Sequence, residues 1–314
     1  MSDPRSEPNQ RPEPEGSGRS VGAHFRLLRP KQWTKNLLVP AAFIFTDSFR
    51  DPRSWQLTAF AFVVMCAVSS ATYIVNDLRD TESDRAHPKK RLRPLAARQV
   101  LPSTAVAMAV VLVLVAVGLL VFFLPPTCSA IVGLYLLMQL AYNCCLKNVP
   151  IADVFTIALG FVLRAAMGAA ALSVSVSAWL LICTGALALM LGFAKRRNEF
   201  IAMGERRTES RQSLSGYSRP ALDALVVIMA GLSAMAYGLY SVESSTAQKY
   251  PGLVVTTFFV AYGISRYVLL VFSKDEGGEP ADILVHDRHI LTSVALFLVF
   301  AVLAVSGVKI PLIE

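Results

Sequence analysis

Charged residues are scarce in this chain: Asp, Glu, Lys and Arg make up 17% of its 314 residues, against 54% hydrophobic. A water-soluble domain carries roughly a quarter of its residues charged, so a soluble enzyme is excluded. Histidine is scarcer still, limited to His24, His87, His286 and His289. None sits in the middle of an apolar block, which excludes a histidine-ligated haem or metal inside a bilayer. Cys66, Cys128, Cys144, Cys145 and Cys183 lie within or beside apolar blocks without CxxC or metal-ligand spacing. They read as small hydrophobes, not as a disulfide framework. No short apolar run with a small-residue cleavage site follows the polar N-terminal stretch, so no signal peptide is expected. The net charge of +8 is not arranged as a basic stripe interleaved with aromatics, and nucleic acid is not expected as a partner.

What the chain does have is long apolar blocks. Spans are expected near residues 36–49, 54–75, 103–124, 127–143, 150–172, 177–195, 221–242, 251–273 and 290–308, most of them near the roughly 20 residues that cross a bilayer. The expectation is an all-α membrane protein of about nine transmembrane helices, with eight as the alternative. Residues 1–22, rich in Pro, Glu, Arg, Ser and Gly, are expected as a disordered tail, and 23–314 as one transmembrane domain. His24 to Asn36 is amphipathic, with Trp33 as an interfacial anchor. With the N-terminus inside, only Arg50, Arg53, Lys249 and Lys309 among the loop bases face outward. That bias places the tail, the long loops and the chemistry on the cytoplasmic side of a bacterial inner membrane.

The second span ends in Asn76-Asp77-Leu78-Arg79-Asp80-Thr81-Glu82-Ser83-Asp84. If the helix continues, Asp77, Asp80 and Asp84 fall at i, i+3 and i+7 on one face, and Asn76 lies one turn before Asp80. Stacked carboxylates repel unless a cation sits among them, and Mg²⁺ takes hard oxygen ligands together with substrate phosphates. A solvated helix end with stray acids is the plain alternative. The basic run that follows, with Lys90 and Arg91, reads either as a topology signal and anionic-lipid contact or as a diphosphate contact.

The pattern Asn-Asp-x-x-Asp-x-x-x-Asp, followed by a basic stretch and Arg93-Pro94-Leu95, resembles the first aspartate-rich motif of the UbiA superfamily of intramembrane prenyltransferases. The span layout is similar as well, so the resemblance covers residues 24–308. It implies a UbiA-type bundle with a cytoplasmic-side active site and Mg²⁺ as cofactor. Asn76, Asp77, Asp80 and Asp84 would hold the diphosphate through the metal, with Asp77 and Asp80 catalytic. Members commonly carry a second aspartate-rich motif after the sixth span, but here the chain reads Lys195-Arg196-Arg197-Asn198-Glu199. One acid among three bases suits a second, metal-free phosphate.

Lys31 and Lys35 are either membrane anchors or a further phosphate site. The combination is similar to the branch of the superfamily that moves phosphoribose from phosphoribosyl diphosphate (PRPP) to decaprenyl phosphate or another polyprenyl phosphate. That branch feeds cell-wall arabinan and arabinogalactan synthesis. Its pattern includes Arg-Pro-Lys-Gln-Trp-x-Lys-Asn (29–36 here) and a Lys-Arg-x-x-Glu element, which here is slightly shifted. On this reading Lys195 and Arg196 join the catalytic set, and Arg197 and Glu199 touch substrate.

Inside the apolar blocks, Asp153 and Arg164 share a helix face but lie three turns, roughly 16 Å, apart. Each therefore needs its own partner, and Arg164 is a candidate for substrate phosphate. Tyr142, Asn143 and Lys147 close the fourth span at the same depth. Arg266, with Tyr262 one turn earlier, either snorkels or reaches substrate. Arg211, Ser213 and Tyr217 lie in a loop placed to cover the donor; Glu279, Pro280 and Asp287 are further candidates. Two other functions compete: attachment of a polyprenyl chain to an aromatic acceptor, which a second Asp pair would have favoured, and cation transport, which needs charges lining a path to both faces. Oligomeric state is left open, a homo-oligomer included.

Overall fold

The computed structural model describes residues 21–45, 51–86, 90–175, 177–203, 212–273, 283 and 286–306, and among them there are helices and turns but no strand. In chain order the helices are α1 Val21–Leu27, α2 Ala41–Ile44, α3 Pro52–Arg79, α4 Thr81–Ala86, α5 Pro102–Phe122 and α6 Pro126–Cys144. They continue as α7 Ala152–Ala171, α8 Ala178–Met203, α9 Arg219–Glu243, α10 Ser245–Lys249, α11 Thr256–Ser273 and α12 Arg288–Val305. Pro52, Pro102 and Pro126 open three of the long helices, where the missing N–H is no loss and the fixed φ suits the first turn. Ser218 and Asp287 cap α9 and α12 by accepting from the N–H groups of Ala221 and Ile290.

Among the described residues, eight helices are long and apolar enough to cross a membrane, which makes this a multi-pass membrane protein. Over its described part, 36–45, the expected span at 36–49 is not one continuous helix. A 3₁₀ segment, Pro30–Leu38, runs into the single turn of α2, and Pro40 at the N-cap of α2 breaks any continuous helix between them. Residues 46–50 lie outside the described residues, as does most of the expected tail, whose last two positions, Val21 and Gly22, instead begin α1.

The chain divides into two compact units, Met1–Gln32 with Ser69–Leu114, and Trp33–Val68 with Val115–Glu314. In the first, Ala23 and Leu27 of α1, Ala71 and Ile74 of α3, Leu95, Val100, and Ala105 and Ala109 of α5 form a buried cluster. Ser70 donates to the carbonyl of Leu28 at 2.7 Å and ties the end of α1 to α3.

In the second unit α6 packs on α7, α7 on α8, α8 on α9, α9 on α11 and α11 on α12. Lipid tails are as apolar as leucine, so burial alone does not hold such helices together; close packing and interhelical hydrogen bonds do. Gly192 of α8 receives a methyl group of Val154 from α7. Tyr237 of α9 bonds Thr256 of α11 at 2.6 Å, and Ser293 of α12 donates to the carbonyl of Phe259 at 2.6 Å. The closest approach is at Gly168 of α7, where an added methyl would overlap the backbone carbonyl of Val39. A backbone neighbour cannot turn aside as a flexible side chain can.

Gly168→Ala should therefore destabilise the protein by roughly 1–3 kcal/mol. Gly118→Ala, with open space around it, should be neutral or gain up to about 1 kcal/mol in helix propensity. Thermal melts of the detergent-purified variants check both, and equal melting temperatures would refute the packing argument.

Candidate active site

The last turns of α3 build an acidic network in the first unit. Helical hydrogen bonds persist across the α3–α4 break, with Asp80 N–H on the Asn76 carbonyl and Asp84 N–H on the Asp80 carbonyl, both 2.9 Å. Thr81 turns its hydroxyl back onto the carbonyls of Asp77 and Leu78 at 2.7 and 3.0 Å, a back-bonding that bends a helix. Asp77 and Asp84, seven residues apart, then share one buried face, 3% and 2% exposed. Asp80 points outward and is exposed, which corrects the expectation that all three acids stack together. Asn76 is half-buried on the preceding turn.

Both buried carboxylates carry arginine. Arg93 Nη1 lies 3.1 Å from Asp77 Oδ1 and 2.6 Å from Asp84 Oδ2. Arg29 Nη2 pairs with the same Asp77 oxygen, and its guanidinium lies 4.8 Å over the Tyr73 ring. Arg29 adopts φ 54°, a left-handed conformation rare outside glycine and a marker of imposed placement. Sequence reading missed both partners, although Arg93 stood in the quoted Arg-Pro-Leu. Lys90 and Arg91 sit in a short exposed 3₁₀ turn, and Lys31 is exposed at the start of the Pro30–Leu38 segment.

Among the described residues, no three His, Cys, Asp or Glu side chains gather as a metal site. The donor chemistry nonetheless fits Mg²⁺, because two hard carboxylate oxygens converge on one cationic atom, Arg93 Nη1.

A second network belongs to the second unit. Asp153, in the first turn of α7, is fully buried. It accepts from Arg196 Nε at 2.8 Å, Ser213 at 3.2 Å and the Tyr217 hydroxyl at 3.2 Å. Arg196 also reaches Glu199, three residues on in α8, at 2.5 Å. The Tyr217 hydroxyl in turn accepts the Ile151 N–H at 2.5 Å, and Ile151 carries φ 68° at the N-cap of α7. Burial pushes the Tyr217 phenol up to about 12. Arg196 is thus held between two carboxylates, and Lys195 beside it is half-buried.

Two other expected site residues, Arg197 and Arg164, tie helices together. Arg197 pairs with Asp223 of α9 at 2.5 Å, donates to the Val271 carbonyl at 3.0 Å and lies over Phe272. It fastens α8 to α9 and α11. Arg164 donates to Asn36 Oδ1 at 2.7 Å, the Gly160 carbonyl at 2.7 Å and the Tyr135 hydroxyl at 2.9 Å. It is stacked between the rings of Tyr135 and Phe161. As their spacing required, Arg164 and Asp153 have separate partners. Lys35, Tyr142, Asn143 and Lys147 are half-buried at segment ends. Arg266 pairs with Asp287 at 2.9 Å, and Tyr262 meets His289 Nδ1 at 3.1 Å. Arg211, Glu279 and Pro280 lie outside the described residues.

A bundle of apolar helices bearing a paired-carboxylate helix end defines a polytopic membrane protein. The family model described as the UbiA prenyltransferase family matches residues 37–284. The chain belongs to that family. A decaprenyl-phosphate phosphoribosyltransferase of Corynebacterium glutamicum is 34% identical over 284 residues, covering 88% of this chain and 84% of that protein. One from Mycolicibacterium smegmatis is 31% identical, covering 85% and 87%. Among solved structures, a UbiA homolog from Archaeoglobus fulgidus bound to GPP and Mg²⁺ shares the fold with TM-score 0.67, 16% identity and coverage of 90% and 99%.

The Arg266 hydrogen bond holds the Asp287 carboxyl down at about 2, below the ordinary value of about 3.9. A lowered folded-state value means that Asp287 stabilises the protein above about pH 4 and loses that contribution as pH falls toward 2. Arg266→Gln should therefore flatten the decline in melting temperature between pH 4 and 2. An unchanged acid slope would show that the pair is not what lowers Asp287.

Proposed function

We propose that this protein transfers 5-phosphoribose from PRPP to a polyprenyl phosphate such as decaprenyl phosphate, releasing diphosphate, at the cytoplasmic face of a bacterial inner membrane. The observation that carries this reading is the similarity, at 31–34% identity over most of the chain, to several proteins named decaprenyl-phosphate phosphoribosyltransferase. The asymmetry of the two charged networks supports it. Asp77, Asp80 and Asp84 follow one another at the end of α3 and the start of α4, whereas Lys195 and Arg196 stand side by side on α8. One grips a metal-bound diphosphate; the other offers cations to a phosphate.

Asp77, Asp84, Asp80 and Asn76 are the oxygen donors at hand for Mg²⁺. When bound, the ion neutralises the departing diphosphate as a Lewis acid. Asp84 and Asp77 are pre-positioned by burial, and exposed Asp80 is accessible to the substrate side. Lys31, Lys90 and Arg91, in the same unit as these acids, supply donors for the remaining phosphate oxygens, and in the second unit Lys35, Lys147 and Lys195 are cations available to a phosphate. Asp153 and Glu199 fix the plane of Arg196, so its guanidinium meets an anion without reorganisation. An oxygen of the acceptor phosphate attacks ribose C1, and the C1–O bond breaks with its electron pair leaving on diphosphate. The attacking phosphate is already ionised near neutral pH, so no general base is needed. The absence of a histidine or cysteine from either network, among the described residues, is consistent with that.

Purified protein incubated with PRPP, a polyprenyl phosphate and Mg²⁺ should yield lipid-linked phosphoribose by mass spectrometry, and chelation should abolish it. Asp77→Asn should lower turnover by about a hundredfold or more. Consumption of a prenyl diphosphate with an aromatic acceptor, and no reaction with PRPP, would establish the prenyltransferase alternative instead.

A further inference from the structure

Arg93 Nη1 bridges two buried carboxylates from either side of the α3–α4 break. Arg29 adds a second guanidinium to the same Asp77 oxygen. Two arginines thus face two aspartates, and the set is neutral. A magnesium ion binds oxygen at about 2.0–2.1 Å, so it competes with both guanidiniums for the same lone pairs. The burial pattern shows which partner can move. The side chains of Asp77 and Asp84 are 3% exposed, those of Arg29 and Arg93 22% and 30%. The arginines are the more exposed partners, and neither belongs to the buried cluster around Ala71 and Ile74.

We propose, resting on the metal-diphosphate reading above, that Arg93, assisted by Arg29, is a placeholder for the metal and a ligand of the diphosphate. Paired in this way, the guanidiniums neutralise Asp77 and Asp84, which would otherwise repel each other across the break. When the metal-bound diphosphate arrives, the carboxylates pass to the metal and the arginine forks pass to phosphate oxygens. Planar guanidinium matches that geometry, donating through two nitrogens at once. A diphosphate brings more negative charge than one divalent ion cancels, so both arginines are paired before and after the exchange. No charge is stranded at any stage, which keeps the exchange cheap in a half-buried setting. Sequence pattern alone marks the acids as ligands and leaves Arg93 among the general basic residues. The bridge across Asp77 and Asp84 gives it a specific task.

The test uses the purified full chain with Mn²⁺ as a paramagnetic probe, read by loss of the free-ion EPR signal, and with inorganic diphosphate as the second probe. Removing the competitor in Arg93→Gln should tighten Mn²⁺ binding in the absence of diphosphate by about tenfold. It should also weaken diphosphate binding in the presence of Mn²⁺ by a similar factor. Arg29→Gln should shift both in the same directions, and it carries the measurement should Arg93→Gln not yield folded protein. Arg79→Gln, an exposed base on α3 outside the network, should change neither. A merely structural arginine would not move the two affinities in opposite senses. Mn²⁺ binding to the unaltered protein that the arginine variants leave unchanged or weaken would overturn the exchange alone. No binding of Mn²⁺ by the unaltered protein or any variant would overturn the metal reading and the exchange with it.

Discussion

A charge inside a bilayer has no water to fall back on, so every ionised group buried by this chain must bring its partner with it. Asp153 shows the rule at its strictest: fully buried, it is surrounded by Arg196, Ser213 and Tyr217, each donating to it. Arg197 has a carboxylate, a carbonyl and an aromatic face. Arg164 has three neutral acceptors and two rings. Such pairs on a wet surface contribute about 1 kcal/mol or less; stranding one member in the interior costs several. The helices can stand only where these sets close.

The same rule separates the working charges from the structural ones. Arg197 and Arg164 spend their donors on helix-to-helix ties and have little left to offer a ligand. Arg196 is shared by two carboxylates, and that sharing orients it. At the end of α3 the pairing is different in kind. Asp77 and Asp84 are satisfied by side chains that remain partly in solvent, so their partnership is replaceable. The proposed uptake of a doubly charged ion would draw on this arrangement, in which the acids are buried and their counter-ions lie partly in solvent.

Much of this was legible in residue order. Apolar blocks located the eight long helices, and the seven-residue spacing of Asp77 and Asp84 put them on one face. The eleven-residue spacing of Asp153 and Arg164 ruled out their pairing. What was not legible was long-range. Arg29 meets Asp77 across 48 positions and Arg196 meets Asp153 across 43, and no local pattern encodes either. Arg197 read as a substrate ligand from its place in the Lys195-Arg196-Arg197 run, and its acid, Asp223, lies on another helix. Residues 36–49 read as a span because their apolar content is high. Pro40, and the polar Asn36 committed to Arg164, were the signals against it. Asp80 turned outward because Thr81 bends the chain at that point, a local effect that ideal helical spacing does not carry.

The embrace of Val39 by Gly168, and of Asn36 by Arg164, has a temporal side. Asn36 leaves the ribosome 128 residues ahead of Arg164, which at translation rates of 5–20 residues per second is roughly ten seconds. Through that interval the segment from Trp33 to Phe45 has its α3 partners, Cys66 and Trp55, but lacks those on α7, which has not been made. The final seating of this short polar-apolar stretch waits for α7. The order of synthesis and the order of assembly are therefore not the same.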